Sequence, residues 1–418
     1  MKKPIFISLS PNTQKDDIIL ALKLIFRPWL WKKNENTKRK LEEKLKTYFN
    51  VKYVIFFNAG RSALMAILNC LNFKKNSEII VPSFTCNALL NPIIWQNLNP
   101  VFVDCEKETL NYKIEEIEKN ITKKTRAIVV QHTFGLPENI DEISKICKKY
   151  NLVLIEDCAH ALGANFNKKK IGTIGDISFF SFGRDKIISS VFGGAVITNN
   201  DLLGKKLIDY EKKLDFPSYF WIFQQLLHPI LINYLIIPLY NFFEIGRYLL
   251  IFLQKINILS KSVYKKEKEG EKVKYFPKKF PNALLLLLEN QFNKLEKYNL
   301  HRQKIADFYY DNLKDLDILL PKNQEGRIYL KFPLLFNKET KEILKLARKE
   351  KIFLDDGWRD SPIVPPDVNL QSVNYIKGKC KNAEEISKKI LNLPTHINIK
   401  IEDAKIITDF LKKICSLK

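Results

Sequence analysis

Val153-Leu154-Ile155-Glu156-Asp157-Cys158-Ala159-His160 is an apolar run too short for a helix, ending in two adjacent carboxylates, a cysteine and a histidine. A β-branched stretch bounded in this way reads as a buried strand whose last residues emerge at its carboxyl end. Working towards the N-terminus, the same pattern recurs at 53–57, 78–81, 101–103 and 127–131. Longer helix-like stretches at 61–71, 86–96, 113–120 and 139–150 lie between these runs. Strand and helix alternating in this manner imply an α/β fold with a mostly parallel sheet flanked by helices. In such sheets the binding crevice lies beyond the carboxyl ends of the strands, so chemistry is sought at positions such as 157–160.

Towards the C-terminus the pattern tightens. Strands at 177–182 and 194–198 flank a loop containing Gly183-Arg184-Asp185-Lys186. Helices at 283–313, 338–350, 383–391 and 401–414 then mix with strands near 328–336 and 351–354, which reads as a smaller C-terminal α+β domain. The expected organisation is an N-terminal arm and helix over 1–47, a large domain over 48–213, a hydrophobic helical insert over 214–268 and a small domain over 269–418.

The insert departs from ordinary soluble composition. Residues 216–243 form a run of 28 without Asp, Glu, Lys or Arg, and lysines stand at 212, 213, 255, 261, 265 and 266. The length suffices for a membrane span. Gln224, Gln225, His228, Asn233 and Asn241, with Pro229 and Pro238, argue instead for a kinked hairpin in the membrane interface, its basic flanks on anionic headgroups. The competing reading packs these helices on the body of the protein, a partner subunit or a substrate tail.

The formal charge of +23 invites a nucleic-acid reading. Against it, 59 of the 69 basic residues are lysines spread along the whole chain. Neither arginine clusters nor interleaved aromatics mark a nucleic-acid face, so none is expected. The seven cysteines are dispersed without metal-site spacing, which points to a reducing compartment, no disulfide framework and no metal. The N-terminus lacks a signal-peptide core, and the cytoplasm is the expected location, with peripheral contact at the inner face of the membrane.

Individually, the strand-end residues are ambiguous. A carboxylate such as Asp157 at the end of a buried strand needs a cationic partner, for which a protonated pyridinium would serve, or backbone N–H groups to cap. Lys186 follows the apolar run Phe179-Phe180-Ser181-Phe182, where desolvation and the nearby Arg184 would favour a neutral, nucleophilic amine. Asn58-Ala59-Gly60-Arg61-Ser62 joins a strand to a helix whose free N–H groups can face an anion. In Asp355-Asp356-Gly357-Trp358-Arg359-Asp360, the Trp and Arg either bind a sugar or phosphate or pack structurally.

Taken together, these pieces resemble the DegT–DnrJ–StrS family of sugar aminotransferases, of pyridoxal-phosphate fold type I. The resemblance runs over about 48–200 and 277–414. Its landmarks are Gly60-Arg61-Ser62-Ala63-Leu64, Val81-Pro82-Ser83-Phe84-Thr85 and Pro100-Val101-Phe102-Val103-Asp104. His132-Thr133-Phe134-Gly135 and Glu156 through Ala164 follow, then Gly172-Thr173-Ile174-Gly175-Asp176, Ser181 to Lys186 and Leu393-Pro394-Thr395-His396. The resemblance implies that Lys186 bonds pyridoxal 5'-phosphate (PLP) as a Schiff base and shuttles a proton. It implies that Asp157 pairs with the ring nitrogen and that His160 hydrogen-bonds the ring's phenolic oxygen. Gly60, Arg61, Ser62 and Ser181 fall around the phosphate. An amino donor such as glutamate, a nucleotide- or lipid-linked keto-sugar acceptor, a role in envelope glycan synthesis and a homodimer follow from the same resemblance.

Four departures qualify this picture. Arg61 stands where the family commonly has Thr or Ser, so a guanidinium fork is expected on the phosphate. Cys86 replaces an aromatic that stacks on the cofactor ring, and Phe84 is the candidate substitute. Pro277-Lys278-Lys279-Phe280 replaces a run whose Asn reaches the neighbouring subunit's phosphate, with Lys278 or Lys279 as substitute charge. The segment 216–258 replaces a short connection. Other readings are a sugar dehydratase, a non-sugar aminotransferase, or an inactive membrane-surface protein on the same fold. Related dehydratases carry His at the lysine position, so Lys186 favours amino transfer.

Overall fold

The computed structural model describes residues 3–416. Seven strands form the large sheet: β1 (Tyr53–Phe57), β2 (Glu78–Pro82), β3 (Asn99–Val103), β4 (Thr125–Gln131), β5 (Val153–Asp157), β6 (Ile177–Ser181) and β7 (Gly194–Thr198). Their order is β1-β7-β6-β5-β4-β2-β3. β7 is antiparallel to both neighbours, and the other pairings are parallel. Helices Gly60–Leu71, Asn87–Trp95 and Ile140–Tyr150 connect β1 to β2, β2 to β3 and β4 to β5, while β3 reaches β4 through 3₁₀ turns and β5 reaches β6 through a loop. β7 returns directly from β6, so no helix intervenes. In register, Gln131 lies beside Asp157 and Asp157 beside Phe179, which brings the carboxyl ends of β4, β5 and β6 to one edge.

Glu156 and Asp157 point to opposite faces of β5, and the sheet treats them differently. The Glu156 carboxylate is fully buried and accepts from the N–H groups of Gly172, Ile174 and Gly175 at 2.6–2.8 Å. Gly172 has φ +97°, and a Cβ there would stand 2.5 Å from the Phe180 ring, so glycine is required to wrap this loop around the carboxylate. His132 Nδ1 accepts from the Glu138 N–H, which leaves Nε2–H to donate to Glu156 at 3.3 Å.

The C-terminal part of the chain contains a three-stranded antiparallel sheet of Ile318–Leu319, Lys331–Phe336 and Ile390–Pro394. Three local readings differ from the sequence pattern. The 113–120 stretch forms two 3₁₀ turns, Ile114–Glu116 and Glu118–Asn120, because so short a segment with Ile117 as its buried anchor gains little from α-helix formation. The 283–313 stretch is two helices, Asn282–Phe292 and Leu295–Leu313. The helix expected over 383–391 ends at Lys389, and Ile390–Pro394 pairs along Lys331–Phe336 instead.

The apolar segment is helical. Tyr219–Leu231 runs through a π turn at Ile232–Ile236 into Ile237–Leu239. Pro229 and Pro238 remove backbone donors along this stretch, and the Asn233 side chain bonds the Pro229 carbonyl at 2.8 Å. Trp221, Ile222 and Leu226 join the main core beside helices Lys15–Ile25 and Asn282–Phe292. Helix Ile245–Lys255 doubles back at Gly246, where a Cβ would strike the Ile236 carbonyl. Tyr219–Leu239 is long and apolar enough to cross a membrane by length and composition, yet 44% of its most apolar window is buried in the protein. Outside lie exposed Tyr234, Phe242, Phe243, Tyr248, Ile251 and Phe252, with Phe243 96% accessible.

Candidate active site

A cleft of about 490 Å³ opens over the carboxyl ends of β1, β4, β5 and β6. Of the residues singled out from sequence, Gly60, Arg61, Cys86, Asp157, His160, Ser181 and Lys186 line it. Gly60 begins helix Gly60–Leu71, whose N-cap, Ala59, has no side-chain acceptor. The amides of Gly60 and Arg61 therefore remain available to an anion. A Cβ on Gly60 would stand 2.9 Å from the Cβ of Ser181, so the glycine permits this close approach of helix start and β6.

Asp157 is held in the cleft wall by the Ala159 N–H, which donates to Oδ1 at 2.9 Å. Burial pushes its pKa up to about 6, against the lowering effects of that N–H and of Lys186 and His132. Among the described residues no cationic side chain hydrogen-bonds or ion-pairs with it. Burial also lowers the proton affinity of Lys186, and the nearby Lys331 charge acts in the same direction. His160 is held neutral, chiefly by burial and then by the charges of Lys186 and Lys331. Its Nδ1 accepts the Phe134 N–H at 3.3 Å, which fixes the proton on Nε2. The ring lies parallel to Phe134 at 5.6 Å and edge-on to Trp358 at 5.2 Å.

Other expectations fall elsewhere. Ser62 is fully buried and donates to Asn58 Oδ1 at 2.8 Å, outside the cleft lining. Phe84 is also fully buried, packed edge-on to Trp358 at 5.4 Å, so its ring does not reach the cleft to replace the missing stacker. Lys278 pairs with Asp215, and Lys279 donates to the Lys212 carbonyl; neither lines the cleft of its own chain. Arg359 is engaged by Asp355 and Asp360, whereas Trp358 does line the cleft.

The guanidinium of Arg61 does not form a free fork. It ion-pairs with the fully buried Glu267 and donates to the Ser262 carbonyl at 2.8 Å. Arg184 likewise donates to the Ser260 carbonyl at 2.8 Å and contacts the Ser260 and Gln225 side chains. Both arginines thus clamp the strap that leads out of the apolar hairpin. Lys261, Ser262 and Val263 of this strap line the cleft. Asn87 and Asn91 bond the Glu267 carbonyl, and Trp95 Nε1 bonds that of Gly270, fixing the strap's far end.

Sequence reasoning missed Gln131, Lys331 and Asp356 as cleft residues. Gln131 had a detectable signal, its place at the end of β4. A lysine among so many had none. His132, Glu156 and Cys158 bring potential metal-ligand atoms within 4.8 Å of one another. The Glu156 oxygens are already occupied by backbone amides and His132, so these side chains work as a structural hub.

The groups in the cleft match PLP in kind. A helix N-terminus with Ser181 suits a phosphate, an unpaired buried carboxylate suits a protonated ring nitrogen, and a partly desolvated amine suits an aldehyde. The model of the DegT/DnrJ/EryC1/StrS aminotransferase family matches residues 13–213 and 259–412, leaving the apolar hairpin unmatched. The dTDP-4-amino-4,6-dideoxy-D-glucose transaminase of Shigella dysenteriae is 27% identical over 99% of this chain and 100% of its own. Helicobacter pylori PseC, an aminotransferase involved in the biosynthesis of pseudoaminic acid, superposes with a TM-score of 0.76 at 22% identity, covering all of both chains. The E. coli GDP-4-keto-6-deoxy-D-mannose-3-dehydratase with bound hydrated PLP gives 0.73 at 20% identity, covering 98% of this chain and 99% of its own.

Proposed function

Because the chain belongs to the DegT/DnrJ/EryC1/StrS aminotransferase family, we propose that it uses PLP to move an amino group from an amino-acid donor, glutamate foremost, to a keto-sugar. The sugar is carried on a nucleotide or lipid and destined for envelope glycan. One observation carries this reading: a half-buried amine, a buried carboxylate without a cation and a helix N-terminus converge in a single cleft. When bound, PLP supplies an electron sink that lets an amino group and a proton change carbon.

The chain's own residues do the rest. The amides of Gly60 and Arg61, with Ser181, would hold the phosphate. Asp157 would keep the ring nitrogen protonated, and the His160 Nε2–H would be the donor for the phenolic oxygen. Lys186 Nζ, whose proton affinity burial lowers, would hold the cofactor and carry the proton to and from the substrate carbon. Cys86 retains its thiol proton because burial raises its pKa.

The reading extends to the apolar hairpin. Its exposed aromatics would rest on the cytoplasmic face of the membrane, with the exposed Lys255, Lys265 and Lys266 towards anionic headgroups. The strap joining hairpin to cleft supports this, because its Lys261, Ser262 and Val263 line the same cleft as Lys186. A homodimer is the expected assembly. The catalytic reading is tested by incubating the holoenzyme with L-glutamate and a panel of nucleotide-linked keto-sugars. Mass spectrometry should reveal an amino sugar and 2-oxoglutarate in equal amounts. A dehydrated sugar without 2-oxoglutarate would favour the dehydratase reading.

A further inference from the structure

Every amino-acid donor carries an α-carboxylate one bond from the carbon that must sit beside Lys186. The cleft therefore needs a cation free to receive it. Arg61 is paired with Glu267 and Lys268 with Asp367 at the rim. Arg184 turns Nη1 and Nη2 to Ser260 and Gln225, leaving only its buried Nε–H without a partner among the described residues. Lys261 is exposed on the strap itself. Lys331 differs from all of these: its side chain is only 7% accessible, yet it lines the cleft with Asp185, Lys186, His160 and Trp358.

An ammonium has three N–H donors. Among the described residues, Lys331 Nζ meets one acceptor, Asp356 Oδ2, at 2.8 Å. Asp356 is itself fixed: Asn392 Nδ2 donates to the same oxygen at 2.9 Å, and the Trp358 N–H donates to Oδ1 at 3.0 Å. The carboxylate thus anchors and aims the ammonium without using its remaining donors. Burying an ammonium with donors to spare is costly unless an acceptor arrives.

We propose that Lys331, held by Asp356, is the residue that binds the α-carboxylate of the amino donor. This rests on the aminotransferase reading and adds to it the residue that admits α-amino acids. The nearby charge of Lys331 also favours the neutral amine of Lys186, so it serves the cleft before the donor arrives.

The test is titration of the PLP-loaded enzyme with L-glutamate, L-glutamine and L-isoglutamine, following conversion of the cofactor to its amine form by absorbance. Lys331→Met should raise the half-saturating glutamate concentration about thirty-fold or more, as expected for loss of a hydrogen bond to a charged group. It should leave PLP binding intact and make glutamate no better than isoglutamine, whose α-carboxylate is an amide. Lys331→Met leaves Asp356 buried and unpaired, so the double variant Lys331→Met/Asp356→Asn removes both charges and should show the same loss. Lys331→Arg should restore part of it.

Unchanged glutamate saturation in both neutral variants would overturn the proposal. So would an equal loss for all three donors. If the variant instead made glutamate equal to glutamine, Lys331 would be assigned to the γ-carboxylate and the α assignment would fall. A wild-type enzyme that binds PLP but reacts with no amino acid would sink the aminotransferase reading, and this proposal with it.

Discussion

Asp157 carries a test of its own in the cofactor-free protein. Its pKa rises from 3.8 to about 6 on folding, so the folded state holds the proton more tightly than the unfolded chain. The associated stability is fully present below pH 3.8 and is lost as pH climbs to about 6. At pH 8, apo Asp157→Asn should therefore be more stable than wild type by up to about 3 kcal/mol, with the difference vanishing near pH 3.5. Paired denaturant titrations at the two pH values measure this, and a difference independent of pH would contradict it. PLP should stabilise the wild type more than the variant, because the variant offers the ring nitrogen no charge. Much of this site was legible in sequence, since strand ends in a parallel sheet converge. The packing of Phe84 behind Trp358 was not, because it depends on a neighbour distant in sequence, and Ser62 turns to Asn58, four residues back, instead of the cleft. Lys331 was invisible because its partner Asp356 lies in a loop 25 residues further on.

At the scale of elements, the strap ties the apolar hairpin, which lies outside the family match, to the cleft. The Arg61–Glu267 pair is almost wholly buried, and removing one partner from such a pair costs about 3–5 kcal/mol. Glu267→Gln and Arg61→Gln should each lower the unfolding free energy or free the strap, raising protease cleavage within 256–270. The double variant should lose less than the sum of the single losses, because neither charge is left stranded. Strictly additive losses would show that the two side chains do not act as a pair. The large-sheet strands could be read from their β-branched runs and the helices from their spacing. Ile390–Pro394 could not, because its apolar run continues the preceding helical pattern and only pairing with Lys331–Phe336 makes it a strand. The inversion of β7 left no local trace either.

For the whole molecule, the question is what covers the apolar hairpin. If it rests on a membrane, the protein should float with vesicles containing phosphatidylglycerol. Phe242→Ser/Phe243→Ser/Phe252→Ser should weaken that binding about tenfold or more. Protein that stays with the soluble fraction at every lipid concentration would remove the membrane from the account and leave its catalytic part untouched. That catalytic part turns on Lys186. The most direct measurement is the absorbance spectrum of the PLP-loaded protein beside Lys186→Ala, before and after L-glutamate, with borohydride trapping. The account predicts a reducible lysine-linked band that glutamate converts to the amine form, and its absence in the variant. A wild type that takes up no PLP, or a variant that keeps the same reducible band, would contradict it.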